Sequence, residues 1–225
     1  MSACIKFIHS AVGAKIIMAV TGCFLFLYVV GHMVGNLQVY QGPEKLNAYA
    51  LFLHSHMGFL WVARLGVLTM MLLHVYTASR LTLQNRAARP VAYVMKENVR
   101  SGLAANNMYV SGTMIFFFVA YHLAQFTLRW TNPELASLTD AQGRFDVYRM
   151  VVAGFQNPVV TGSYVVAMTL LGLHLWHGVS SMFQSVGLNR PQCNTLVGAV
   201  GPVFAAVIVL GNISMPVAIL SGFIK

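Results

Sequence analysis

No charged side chain falls between Lys15 and Glu44, between Arg100 and Arg129, between Arg149 and Arg190, or between Arg190 and Lys225. A helix crossing the hydrocarbon of a bilayer takes about 20 mostly apolar residues, so each of these gaps holds one crossing. A fifth apolar run, about 57–79, is broken only by Arg64 near its start. The spans fall at about 13–36, 57–82, 106–128, 158–183 and 194–222. Backbone groups inside lipid must pair within their own segment, so these are helices. The expected fold is an all-α integral membrane bundle of five transmembrane helices, one domain over 1–225 with no linker or low-complexity stretch. Composition agrees: 8% of residues are charged and mean hydropathy is +0.68, against about 25% charged in a soluble domain. A soluble enzyme, a disordered chain and a nucleic-acid-binding domain are all poor fits.

The net charge of +9 sits in the loops, where it sets orientation rather than binding nucleic acid. Lys6, Lys15, Arg80, Arg86, Arg89, Lys96, Arg100 and Arg190 share one side, offset only by Glu97. Lys45, Arg129, Arg144, Arg149 and Lys225 on the other are diluted by Glu44, Glu134, Asp140 and Asp146. The first side is expected in the cytoplasm, with the N-terminus inside and the C-terminus outside. The outer loops, 37–56 and 129–157, are long enough for short surface helices. Cys4, Cys23 and Cys193 are far apart and form no CxxC, so neither a zinc knuckle nor a c-type haem attachment is indicated. The N-terminus has no signal-peptide cleavage pattern. A weak internal echo is visible: spans one and two, and spans three and four, are both hairpins with a late histidine on each arm.

Five of eight histidines, His32, His74, His122, His174 and His177, lie within spans. Ionisable residues in lipid are costly and mark functional sites by default, although a single one can simply hydrogen-bond a neighbouring helix. Depth gives these a pattern. His32 lies 19 positions after Gly13 and His122 lies 16 after Asn106, roughly 24–28 Å from the inner end at 1.5 Å per residue. His74, 15 positions after Phe59, and His174, 16 after Pro158, are about 23 Å below the outer face. Two level pairs result, His32 with His122 and His74 with His174, stacked roughly 15 Å apart. Facing imidazoles on neighbouring helices can grip an iron porphyrin from both sides, leaving no site open for oxygen or substrate. Zinc or di-iron would want ligands converging at one level, usually with carboxylates, and no Asp or Glu lies in a span.

The runs KIIMAVTGCFLFLYVVGHMVGNLQVY, LLHVYTASRL, FFFVAYHLAQF and LLGLHLWHGVSSMFQSVGLN resemble the single-chain, two-haem cytochrome b anchor of succinate dehydrogenases and fumarate reductases, over almost the whole chain. The resemblance implies two haems b, with iron ligands His32 and His122 for the outer haem and His74 and His174 for the inner. The fourth ligand requires a choice within HLWHG. His174 with Gly178 fits the family pattern, and His177 is the alternative ligand or a neighbour of haem or quinone. The resemblance further implies a flavoprotein subunit and an iron–sulfur subunit as partners, a membrane quinone (menaquinone in this family) as electron partner, the cytoplasmic membrane as location, and room for a higher oligomer of the complex. The chain lacks a flavin site, a nucleotide motif and a cysteine framework, so no catalysis on the dicarboxylate is expected from it alone. Some members use span carboxylates to move protons. Here Gly172 stands two before His174 and no span carries a Glu, which puts such a path in doubt.

Arg64, ten positions before His74, falls level with the outer pair. It either contacts haem propionates or a quinone, or snorkels to the interface. Ser10, Lys15 and Arg80 are candidates for inner propionates. His54, His56, Gln125 and Arg129 are uncommitted outer residues, and Trp176 belongs to an interfacial belt or a quinone cleft. The inner basic face is either a dock for the iron–sulfur subunit or plain positive-inside bias. Pro202 and Pro216 fall in the last span, which carries no histidine and reads as a cover. Other functions compatible with the same residues are the di-haem anchor of a formate dehydrogenase or hydrogenase, and a transporter with a histidine relay. The latter needs a central polar cavity and span carboxylates that the sequence does not offer.

Overall fold

The structure is a computed structural model and describes residues 5–7, 10–88, 105, 107–185, 187 and 194–225. Cys4, Arg89, Lys96, Glu97, Arg100, Arg190 and Cys193, and so most of the inner basic loops, lie outside the described residues. Among the described residues the α-helices include α1 (Ala11–Asn36), α2 (Pro43–Ser55), α3 (Met57–Ala87), α4 (Met108–His122), α5 (Val147–Phe155), α6 (Pro158–Ser185) and α7 (Asn194–Leu220). Five of them, with their extensions, are long and apolar enough to cross a membrane: Ala11–Gln41, Met57–Ala87, Met108–Thr127, Pro158–Ser185 and Val197–Leu220. The short α2 and α5 are the surface helices of the two loops between spans.

Local chemistry sets the ends. The Ser10 hydroxyl accepts from the Gly13 N–H at 2.9 Å and donates to the Phe7 carbonyl at 2.7 Å, so it caps α1. Gly42 takes φ 90°, the left-handed region that lets the chain turn from α1 into α2, and Pro43 starts that helix. Asp146 caps α5 by accepting from the Arg149 N–H at 3.0 Å. The third span departs from expectation. Its α-helix stops at His122 and continues as a π-turn over Leu123–Thr127, closed by Leu128 N–H to the Leu123 carbonyl at 2.8 Å. A regular helix to 128 was the expectation, and such one-residue insertions have no hydropathy signature.

The helices pack as an open ring. α6 packs most extensively on α7, α1 on α3, α4 on α6, and α1 on α6, while α3 touches α4 only lightly. The diagonal partners, α1 with α4 and α3 with α6, are not among the closely packed pairs. α7 lies outside this ring as a cover, running as helix through Pro202 and Pro216. A Cβ on Gly172 would strike Val209, one on Gly201 the Trp176 carbonyl and Ser180 Oγ, and one on Gly211 the Met33 sulfur. Membrane helices approach closely at such small residues. Gly172 therefore has a packing reason, and a carboxylate there has no room. Ile208 and Ile219 on α7 are the most deeply buried side chains of this seam.

One end of the bundle is clasped by charge. Arg144 holds Glu44 with both terminal nitrogens, at 2.7 and 3.0 Å, and holds Asp140 through Nε at 2.7 Å. Asn47, almost wholly buried, donates to Asp146 at 3.0 Å and to Asp140 at 3.3 Å and accepts from the Tyr148 N–H at 2.9 Å. α2 and the 139–147 loop are thereby tied together. The Arg144 hydrogen bonds hold the Glu44 carboxyl below the usual carboxylate range. Burial pushes Asp140 upward, but hydrogen bonds from the Arg144 side chain and from the Arg144 and Gln142 N–H groups leave it lowered.

Candidate functional site: two histidine pairs inside the bundle

Four span histidines meet two by two. The His32 (α1) and His122 (α4) rings lie 5.7 Å apart between centroids at 89°, and those of His74 (α3) and His174 (α6) lie 6.4 Å apart at 68°. Each pair reaches across a diagonal of the ring, between helices whose backbones are not closely packed. Gly22 on α1 sits against His74 and Gly112 on α4 against His174. Each glycine precedes its own helix's histidine by ten residues, so the pairs are roughly 15 Å apart along the bundle. His177 is not in either pair. It follows His174 by three positions and is half-buried.

Hydrogen bonds fix how the rings face. Thr21 donates its hydroxyl proton to the Ile17 carbonyl at 2.8 Å, so its oxygen accepts from His74 Nδ1–H at 3.1 Å. Ser111 donates to the Met108 carbonyl at 3.2 Å and accepts from His174 Nδ1–H at 3.2 Å. Tyr164 donates to Gln125 Oε1 at 2.9 Å and accepts from His122 Nδ1–H at 3.0 Å. In each case the protein claims the Nδ1 proton, and Nε2 is left as the lone-pair nitrogen with no protein partner among the described residues. That is the tautomer a metal-binding histidine adopts when an outer partner orients it. The His32 ring makes ring contacts only, stacked on Tyr28 at 5.6 Å and edge-on to His122.

The glycines supply space. A Cβ on Gly22 would lie 3.2 Å from His74 Cε1, and one on Gly112 would lie 3.2 Å from His174 Cε1. The local sequences are MAVTG (18–22) and MYVSG (108–112), so the weak echo between the hairpins is a structural repeat. The same five-residue element supplies the hydroxyl and the gap for one imidazole of the other arm. The sequence reading passed over Thr21, Gly22, Ser111, Gly112 and Tyr164, since each is an ordinary membrane-helix residue alone. The signal available was this pentapeptide, twice, each ten residues before a histidine.

A metal atom about 2 Å from each of two imidazole nitrogens sets the ring centroids roughly 6.3 Å apart. The His74–His174 spacing of 6.4 Å equals this, and the His32–His122 spacing of 5.7 Å is short by about 0.6 Å. The donor set (imidazoles in twos, on helices that are not closely packed on each other, in an apolar bundle) therefore fits a flat metal macrocycle held from both faces. Among the described residues no three His, Cys, Asp or Glu converge as a metal cluster.

The remaining candidates divide. Ser10 is taken up as the α1 cap and is not a free anion contact. Arg64 lies over the Trp61 ring at 5.3 Å and within electrostatic reach of Tyr28, which stacks on His32. It belongs to the neighbourhood of that pair and carries no hydrogen bond among the described residues. Lys15 is exposed at the start of α1. Arg80 lines a shallow cleft with Tyr76, Ser79, Leu83 and Gln84 near the end of α3. Trp176 is half-exposed, and Arg129 lies over the Phe145 ring at 4.7 Å. His54 and His56 are exposed and hydrogen-bond through Nδ1 to the Ala50 and Phe52 carbonyls, away from both pairs.

Comparison of the chain with protein-family models, with curated proteins and with solved structures finds no match.

Proposed function

We propose that this chain is the cytochrome b membrane anchor of a succinate:quinone oxidoreductase, carrying electrons between an iron–sulfur subunit and a membrane quinone through two haems b. The observation that carries the reading is the two imidazole couples, with the Nδ1 protons of His74, His122 and His174 committed to hydroxyl oxygens. His74 and His174 would hold one haem, His32 and His122 the other. A haem b gripped by two histidines takes up and returns single electrons with no open coordination position. The protein's part is to hold His74, His122 and His174 in the right tautomer, to bring His32 level with His122, and to keep water out with the apolar helices. Arg64, within electrostatic reach of the Tyr28 that stacks on His32, would meet an anionic edge or a quinone carbonyl. Lys15 and Arg80 are the corresponding cations toward the other end. His177 stays a neighbour of the inner pair, not its ligand.

Orientation in this reading follows the positive loops, with the His74–His174 pair nearer the cytoplasm and the iron–sulfur subunit docking there. The flavoprotein subunit carries the dicarboxylate chemistry, and menaquinone is the quinone the sequence resemblance favours. The test is affinity purification of the full chain from its native membrane. A flavoprotein and an iron–sulfur protein copurify, and succinate reduces the haem absorption bands in the isolated complex. A coloured preparation that brings other dehydrogenase subunits, and whose bands respond to formate or hydrogen but not succinate, overturns the succinate assignment. A colourless one overturns the cytochrome reading.

A further inference from the structure

Resting on the two-haem reading, we propose that Tyr164 and Gln125 are positioning residues that fix the tautomer of His122 and lower the midpoint potential of the haem at the His32–His122 pair. The chain of hydrogen bonds runs one way. His122 Nδ1–H donates to the Tyr164 oxygen at 3.0 Å, and the Tyr164 hydroxyl donates to Gln125 Oε1 at 2.9 Å. Were the Gln125 amide turned over, its N–H would donate to the phenol, the phenol proton would turn onto Nδ1, and Nε2 would carry the hydrogen. A protonated Nε2 cannot bind a metal. The orientation of this amide therefore favours the tautomer in which His122 can be a ligand.

The surroundings hold that orientation. Tyr164 is 6% exposed and its ring is wedged edge-on between Phe118 and Phe155, each at 4.8 Å. Gln125 is 4% exposed and stands in the π-turn that follows His122. The wider turn re-aims the residues after the histidine, and such turns recur at functional sites. Gln125 Nε2 is buried without a hydrogen-bond partner among the described residues. Leaving a buried N–H unpaired is costly. The chain tolerates that cost at a residue whose other end receives the tyrosine proton.

Among the described residues no other imidazole is held by a phenol. Thr21 and Ser111 serve His74 and His174 through aliphatic hydroxyls bonded to their own helices. The position matching Tyr164 in the first hairpin, ten before His74, is Arg64, which stacks on Trp61. An acceptor on Nδ1–H makes the imidazole more basic and favours oxidised iron. Losing that acceptor raises the potential.

The test is redox titration of the purified, haem-loaded full chain and its variants, followed by haem absorption. His32→Ala and His74→Ala first assign the two couples, each removing one. Tyr164→Phe keeps the ring and removes only the hydroxyl. It is expected to retain both haems and to move the His32–His122 couple upward by about tenfold in its oxidised-to-reduced ratio, about 59 mV for one electron, with the other couple unmoved. Thr21→Val is expected to do the converse, moving the His74–His174 couple alone. Gln125→Leu frees the phenol proton to turn onto Nδ1, so the His32–His122 haem is expected to be bound at least tenfold more weakly. An unshifted His32–His122 couple in Tyr164→Phe, or equal shifts of both couples, overturns the relay. If Tyr164→Phe does not fold, parental occupancy of that haem in Gln125→Leu overturns it. A parental chain without haem fails the two-haem reading itself, whereas two haems with immobile potentials fail only the relay.

Discussion

Thr21 and Ser111 each spend the hydroxyl proton on their own helix and so turn an acceptor toward an imidazole. Outer partners of this kind are worth about 10–100-fold in metal affinity. Thr21→Val and Ser111→Ala are each expected to weaken the haem at His74–His174 by that order while sparing the other, measured by titrating haem into the stripped chain. His177 gives the opposite prediction. It stands outside both pairs, so His177→Ala is expected to keep two haems per chain, and loss of one would make it the ligand instead of His174. At this scale the sequence was legible for histidines and little else. Their cost in lipid singles them out, and counting residues from the span ends gives their level. Thr21 and Ser111 draw no notice because hydroxyls bonded to their own helix are common in membranes.

Among the elements, the two MxV[T/S]G segments are the repeated part, and their glycines are spacers. A Cβ at Gly22 or Gly112 meets an imidazole carbon at 3.2 Å, so alanine demands a shift of a few tenths of an ångström and a branched side chain much more. Gly22→Val and Gly112→Val are expected to abolish the haem at His74–His174 and retain that at His32–His122, read from the reduced absorption spectrum. The π-turn after His122 was invisible because apolar residues continue through it. The clasp of Glu44, Arg144 and Asp140 was legible only as loop charges, since pairing across 100 positions has no local pattern. Its pH dependence has a definite sign. Both carboxyls are held below their unfolded values, so their contribution is present above about pH 4 and is lost as pH falls through the folded values. Protease resistance of α2 and the 139–147 loop is expected to drop below about pH 4 in the parent. Arg144→Ala should show the weakened clasp already at neutral pH, with little further change on acidification.

For the whole molecule, four charge-free gaps and one apolar run broken by Arg64 located the five spans to within about five residues at each end, because hydrocarbon thickness sets helix length more strictly than any propensity does. The arrangement of those helices was not legible. Nothing in the hydropathy says that α1 and α6 pack while α1 and α4 stand apart. Gly172, Gly201 and Gly211 let α7 lie close on α6 and α1 as a cover. The most direct measurement of the central claim is haem per chain, by reduced-minus-oxidised absorption, in the purified parent and in His32→Ala, His74→Ala, His122→Ala and His174→Ala. The account predicts two haems in the parent, with His32→Ala and His122→Ala losing one and the same spectral component and His74→Ala and His174→Ala losing the other. A colourless parent, or a different pairing of the four losses, would contradict it.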